Sequence, residues 1–168
     1  MNSLGPMQVR EFRPQDRDAV IALVLGIQND EFGLGLAIED QPALLDIPGQ
    51  FQQAGGGFWV AVDPRDVVVG CIGLLRKTVD CAVLRSFFVA PAWRGAATGC
   101  AAALYAQLLS FARAAGVRHV LLDTPAVATR AQQFYQRAGF VQVTRDQLPV
   151  PHDYPDRDSL LFLLTLDG

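Results

Sequence analysis

Hydrophobic positions change period several times along the chain, and each change marks an element. Gln8 to Arg13 reads as a short strand. Pro14 and Asp16 suit a helix start, and Val20, Leu23, Val24 and Ile27 then recur at helical spacing. Gln28 to Gly57 has no sustained period. Acidic residues, glycines and prolines alternate there with isolated apolar anchors such as Phe32, Leu36 and Ile47, so short helices and a binding wall are expected. Phe58–Val62 and Val67–Leu75 flank the polar turn Asp63-Pro64-Arg65-Asp66 and read as an antiparallel hairpin.

The stretch from Leu84 to Tyr105 organises the rest. The strand Ala82–Val89 carries Leu84, Phe87, Phe88 and Val89, and Pro91 ends its ladder because proline has no N–H to give. Arg94 and Gly95 turn the chain. A helix to about Ala115 follows, with an apolar face of Ala101, Leu104, Leu108, Phe111 and Ala115, and Gly116 caps it. Its expected first turn is Gly95, Ala96, Ala97, Thr98 and Gly99. Small residues leave the unpartnered amides of a helix start open to a phosphate, and Arg94 adds a fixed charge beside them. The same glycines and alanines would also serve close packing of helix on sheet.

Val117–Asp123 is too continuously apolar to have a wet face, so it belongs inside a sheet. Thr124 and Pro125 open a helix with the stripe Val127, Ala131, Phe134 and Ala138, closed by Gly139. Phe140–Thr144 and Leu160–Leu166 are the last strands, separated by a proline-rich loop from Asp146 to Asp158. Strands and helices in this order imply a mixed α/β sheet with helices on both faces.

Arg94-x-x-Ala97-x-Gly99 after a strand ending Phe88-Val89-Ala90-Pro91 resembles the acyl-CoA signature of the GNAT superfamily of N-acetyltransferases. Ala97 stands where that signature has a glycine. Ala131-Gln-Gln-Phe134-Tyr135-Gln-Arg-Ala-Gly139-Phe140 resembles the second segment of the same family, and the likeness extends loosely over nearly the whole chain. The resemblance implies a single acyl-CoA N-acyltransferase-like domain over residues 1–168, with a mostly antiparallel central sheet and residues 1–6 as a flexible leader. It implies acetyl-CoA as co-substrate, held by Phe87, Phe88, Val89, Arg94, Gly95, Ala96, Ala97, Thr98 and Gly99. It also implies direct attack of a small-molecule amine in a ternary complex, with Tyr135 as general acid.

A phenol with an ordinary pKa of about 10 is protonated at neutral pH and can supply a leaving thiolate. The strand Ala82–Val89 has no carboxylate to act as base. Glu31, Glu39 and Asp40 are the candidates, with Glu31, beside Phe32, preferred, and a water chain remains an alternative. Phe32 falls in the segment that matches the family's variable substrate-binding region. Arg85 is a charge in an apolar strand, so it either meets an internal carboxylate or faces the cleft. In the cleft its fork would suit an anion on an amino-acid-like amine.

Composition narrows the remaining classes. Hydrophobic residues make up 51% and charged residues 18%, which excludes general disorder. A net charge of −3 argues against general affinity for nucleic acid. No apolar run is long enough to span a bilayer, and MNSLGPMQV lacks a signal-peptide pattern. Cys71, Cys81 and Cys100 have no metal-like spacing, and neither do His119 and His152, so no metal is expected. His152 lies in a loop that could shape the substrate mouth. A cytoplasmic location follows, with a homodimer left open. A non-catalytic acyl-CoA-binding or sensing module is the alternative function. A dinucleotide-binding domain is weaker, for want of G-x-G-x-x-G in a βαβ repeat.

Overall fold

The computed structural model describes residues 5–152 and 158–166. Residues 1–4 of the expected leader, and Asp153 and Tyr154 of the late loop, lie outside the described residues. The elements are β1 (Gln8–Glu11), α1 (Arg17–Gly26), β2 (Gly57–Val62), β3 (Val68–Arg76), β4 (Cys81–Val89), α2 (Cys100–Ala114), β5 (His119–Thr124), α3 (Thr129–Arg137), β6 (Val141–Val143) and β7 (Leu160–Thr165). They form one seven-stranded sheet in the order β1-β2-β3-β4-β5-β7-β6. Every neighbouring pair is antiparallel except β4 with β5. Insertion of β7 between β5 and β6 is a tertiary choice that the order of elements along the chain does not reveal.

Apolar residues on both faces of the sheet account for the two main cores. On one face Leu104, Leu108 and Ala112 of α2 pack with Trp59, Ile72, Leu84, Leu122 and Tyr135. On the other, Val20 and Val24 of α1 join Leu44, Ile47, Phe51, Phe58 and Cys71. Phe58 stands edge-on to both Phe12 and Phe51 there. All three cysteines are free and buried, as side chains of apolar layers.

The irregular segment resolves into short turns rather than full helices. α1 loosens into a wider turn over Ile27–Glu31, and three further short turns cover Ile38–Asp40, Pro42–Leu45 and Pro48–Gln52. Asn29 closes the loop between the first two. Its side chain donates to the Leu36 carbonyl at 2.8 Å and accepts the Leu36 N–H at 2.7 Å.

Two helix starts differ from the pattern-based expectation. α2 begins at Cys100, so residues 95–99 form a turn ahead of the helix, and Gly99 is its N-cap with φ +67°. The buried face is consequently Cys100, Leu104, Leu108 and Ala112, while Ala101 and Ala115 are only partly buried. α3 begins at Thr129 instead of Thr124 or Pro125. Gln132 Nε2 donates to the carbonyls of Pro125 and Ala126, both at 3.0 Å, and holds those residues in a turn. Val127 is then 61% exposed, and Tyr135 replaces Phe134 as the buried residue of the helix.

Candidate active site

The site begins where β4 and β5 part. Their register holds for Cys81↔His119, Ala82↔Val120 and Val83↔Leu121, then ends. Beyond Val83 the edge of β4 loses its strand neighbour, so its backbone groups face a cleft instead of a ladder. On the other side, β4 carries one extra residue against β3. Gly73 pairs with Arg85 and Cys71 with Phe88, so Ser86 and Phe87 bulge. Ser86 takes φ +56°, and its carbonyl accepts a hydrogen bond from Cys71 Sγ at 3.1 Å. The bulge bends the strand at the mouth of the gap.

Two cavities meet there. One, of about 440 Å³, lies between the turn before α2 and α3. Phe87, Val89, Arg94, Gly95, Ala96, Gly99, Ala101, Ala102, Arg130, Ala131, Phe134, Tyr135 and Arg137 line it. The first backbone bond of α2 runs from Ala103 N–H to the Gly99 carbonyl, so the amides before it have no partner within the helix. Among the described residues, three arginines and no carboxylate line this cavity, which is an environment for an anion. Thr98 Oγ1 ties the turn by hydrogen bonds to the Trp93 and Gly95 carbonyls. Ala97 is exposed and keeps an ordinary negative φ, so the methyl in place of the signature glycine costs no strain.

The second cavity, of about 180 Å³, opens on the other side of Tyr135. Its walls include Gln28, Phe32, Leu36 and Gln41 from the irregular segment, Leu84 to Val89 from β4, Asp123 and Thr124 from β5, and Ala131 and Tyr135 from α3. Gln28 and Gln41 are buried and exchange two amide hydrogen bonds of 2.9 and 2.7 Å, which stiffens the wall. Arg85 lines this cavity, half-buried, with no ion pair among the described residues. It therefore faces the cleft rather than an internal carboxylate.

Tyr135 belongs to both cavities and is 6% exposed. Its ring packs against Phe87, Phe134, Phe140 and Phe162. Burial, with a smaller contribution from the Asp123 charge, pushes the phenol above its usual range. It stays protonated across the physiological range.

Glu31 lines neither cavity. Its carboxylate meets Arg94 in a two-pronged ion pair, Nη1–Oε1 2.7 Å and Nη2–Oε2 2.6 Å, while Arg94 Nε donates to the Val89 carbonyl at 2.9 Å. The Arg94 hydrogen bonds hold the Glu31 carboxyl below the usual carboxylate range. A carboxylate so held behaves as a counter-ion and is a weaker base than a free one.

Five contributing residues lie outside the sequence motifs. Arg130 and Arg137 lie seven positions apart on α3, a helical spacing that places both on the flank of Phe134. In the sequence Asp123 is only the end of a buried strand, and Gln28 and Gln41 are only part of an irregular mosaic.

A family model described as "Acetyltransferase (GNAT) family" matches residues 22–140. The chain belongs to the GNAT family. Its fold matches an acetyltransferase from Streptococcus agalactiae at 34% identity and a TM-score of 0.90, over 95% of this chain and 98% of that one. A GNAT-family acetyltransferase from Staphylococcus aureus matches at 26% identity and a TM-score of 0.90, over 96% of this chain and 99% of the other. The PaiA N-acetyltransferase from Thermoplasma acidophilum, solved with coenzyme A, shares the fold at 12% identity, a TM-score of 0.71 and coverage of 95% and 99%. A comparison with curated proteins returns no match. Among the described residues no helix is long and apolar enough to cross a membrane.

Proposed function

We propose that this GNAT protein transfers an acetyl group from acetyl-CoA to the amine of a small, amino-acid-like molecule, by direct attack in a ternary complex. The observation that carries the reading is the position of Tyr135 in the wall shared by an arginine-rich cavity and a smaller cavity with charges of both signs. Acetyl transfer needs two substrates held at once and a proton donor at their junction.

The larger cavity takes the cofactor. The amides from Gly95 to Ala102 and the guanidinium of Arg94 receive the pyrophosphate, with Arg130 and Arg137 at its edge. Glu31 holds Arg94 in place until the phosphate arrives. The acyl-pantetheine arm lies along Phe87, Phe88 and Val89, on the edge of β4 that β5 has vacated. A backbone N–H there polarises the thioester carbonyl. Tyr135 gives its proton to the departing thiolate, whose conjugate acid resembles a cysteine thiol with a pKa of about 8.5. In the smaller cavity Arg85 reads an anionic group of the acceptor, and Phe32 packs against the acceptor body.

Two measurements test this together. Acetyl-CoA should raise the melting temperature, since a ligand that binds only the native state stabilises it by mass action. A panel of common amino acids and their decarboxylated amines, assayed by thiol release, should contain acceptors that turn over, with the carboxylated ones favoured. A melting shift with no turnover on any amine would leave an acyl-CoA-binding module instead. No shift at millimolar acetyl-CoA would remove the cofactor assignment.

A further inference from the structure

Asp123 and His152 form a buried pair beside the smaller cavity that the reading above leaves without a task. Side chains alternate along a strand, so Arg85 and Asp123 leave the sheet on the same face as Val83 and Leu121. They stand one step past the last paired residues, on opposite banks of the gap, and both line the cavity. The face below them is floored by Cys81, Val83 and Leu121, against which Leu148 and Val150 pack. Two residues further along that segment, His152 reaches under Asp123 and is 3% exposed. Its Nε2 lies 2.7 Å from Asp123 Oδ1, a hydrogen bond in which the ring N–H donates and the carboxylate oxygen accepts. Arg145 Nη2 donates to the His152 carbonyl at 3.3 Å and ties the segment down. The Asp123 side chain is 22% exposed where that of His152 is 1%, which leaves the carboxylate open on its cavity side.

We propose that Asp123 receives the ammonium group of the acceptor and takes its proton, and that His152 is the positioning residue that holds the carboxylate for this. The inference rests on the acetyltransferase reading given above. Together, Arg85 and Asp123 make the cavity a receptor for a zwitterion, an amino acid presenting its carboxylate to one bank and its ammonium to the other.

The protons balance. An alkylammonium must lose one proton before its nitrogen has a lone pair. In water, transfer to a carboxylate runs uphill. In a cavity closed by the cofactor, an ion pair costs more than the neutral pair that replaces it, and the gap narrows. One N–H bond breaks and an O–H bond forms on Asp123. The amine then attacks the thioester carbonyl. As the carbon–sulfur bond breaks, Tyr135 gives its proton to sulfur and takes the remaining ammonium proton from nitrogen. The products are the amide, the free thiol and a protonated Asp123, which returns its proton to solvent when the site opens. The other titratable groups among the described residues lining this cavity are Arg85 and Arg94, both cationic, and Tyr135. Of the described residues around the cavity, Asp123 alone supplies a carboxylate.

The test uses the full chain, acetyl-CoA and the best acceptor of the amino-acid panel. At about pH 7, Asp123→Asn should lower kcat/KM by about a hundredfold, the range of acid–base catalysis, with the acetyl-CoA-induced melting shift unchanged. Near pH 10, where a free amine is supplied by solution, the deficit should shrink to less than about tenfold. His152→Gln, which keeps an N–H donor, should retain more activity than His152→Leu. Where His152→Leu lowers the melting temperature, the pH profile of Asp123→Asn decides alone. Wild-type kcat/KM in Asp123→Asn at about pH 7 overturns the inference and leaves the acetyltransferase reading standing. An equal deficit at both pH values also overturns it, since the carboxylate then takes no proton. If wild-type protein turns over no amine, the underlying reading fails and this inference with it.

Discussion

The two cavities that meet at Tyr135 are unlike in charge and in origin. The larger is built by the contiguous β4, turn and α2 together with α3, and among the described residues Arg94, Arg130 and Arg137 line it with no carboxylate. The smaller is assembled from distant segments and sets Arg85 against Asp123. A uniformly cationic wall suits a polyanion of constant structure. A wall with charges of both signs, lined by an irregular segment, suits a small molecule read at two ends. The difference implies that substitutions on the larger side act alike on every acceptor, and those on the smaller side discriminate among acceptors.

Tyr135→Phe should have the largest effect, because the residue serves both sides. The ring packing is kept and only the hydroxyl is lost, so kcat should fall by about 10²–10⁴ for every acceptor with acetyl-CoA affinity little changed. Unchanged turnover would reduce Tyr135 to a packing residue.

Arg85→Lys breaks the comparison on the acceptor side alone. It keeps charge and loses the fork, and a charge-assisted hydrogen bond contributes about 1.5–3 kcal/mol, so KM for a carboxylated amine should rise by roughly tenfold or more. The decarboxylated amine should be indifferent. Equal effects on both amines would show that Arg85 reads no anion.

Arg130→Ala with Arg137→Ala should weaken acetyl-CoA severalfold for all acceptors alike and flatten the salt dependence of binding. Both side chains are exposed, and screened surface charges are worth little individually. Calorimetric titration at two ionic strengths reads this.

Glu31→Gln should change least. It removes a counter-ion from Arg94, so acetyl-CoA binding should tighten slightly and turnover should stay near wild type. A fall of a hundredfold or more would instead make Glu31 the base. The pair also sets a pH dependence. The Glu31 carboxyl is held below its unfolded value, so its stabilisation is complete above that value and lost as pH falls through the folded one. The melting difference between wild type and Glu31→Gln should therefore vanish in acid, and not in base.

The larger cavity was the legible one. Leu84 to Tyr105 reads directly as strand, turn and helix, since breakers and periodicity are local signals. Even there, the pattern extended α2 over residues 95–99, because alanines and glycines do not announce that Gly99 will adopt φ +67° and cap the helix. α3 starts more than a turn later than the pattern predicts, at Thr129 instead of Thr124 or Pro125. The Gln132 side chain holds Pro125 and Ala126 out of the helix, and no hydrophobic stripe records such a bond. The smaller cavity was largely hidden. Arg94 and Glu31 stand 63 positions apart, and Asp123 and His152 stand 29 apart. Side-chain pairs at such separations exist only once the strands are ordered, and the place of β7 beside β5 is not in the pattern.

The burial of the cysteines carries a practical consequence. Burial pushes the Cys71 thiol up to about 12 and the Cys100 thiol up to about 11, and raises Cys81 as well. Disulfide reagents react with thiolates, and at neutral pH these side chains supply almost none. A chromogenic disulfide mixed with the folded enzyme should therefore stay colourless until coenzyme A is released. The colour then counts turnovers without a background from the catalyst, and its sudden rise in the absence of acceptor would report unfolding.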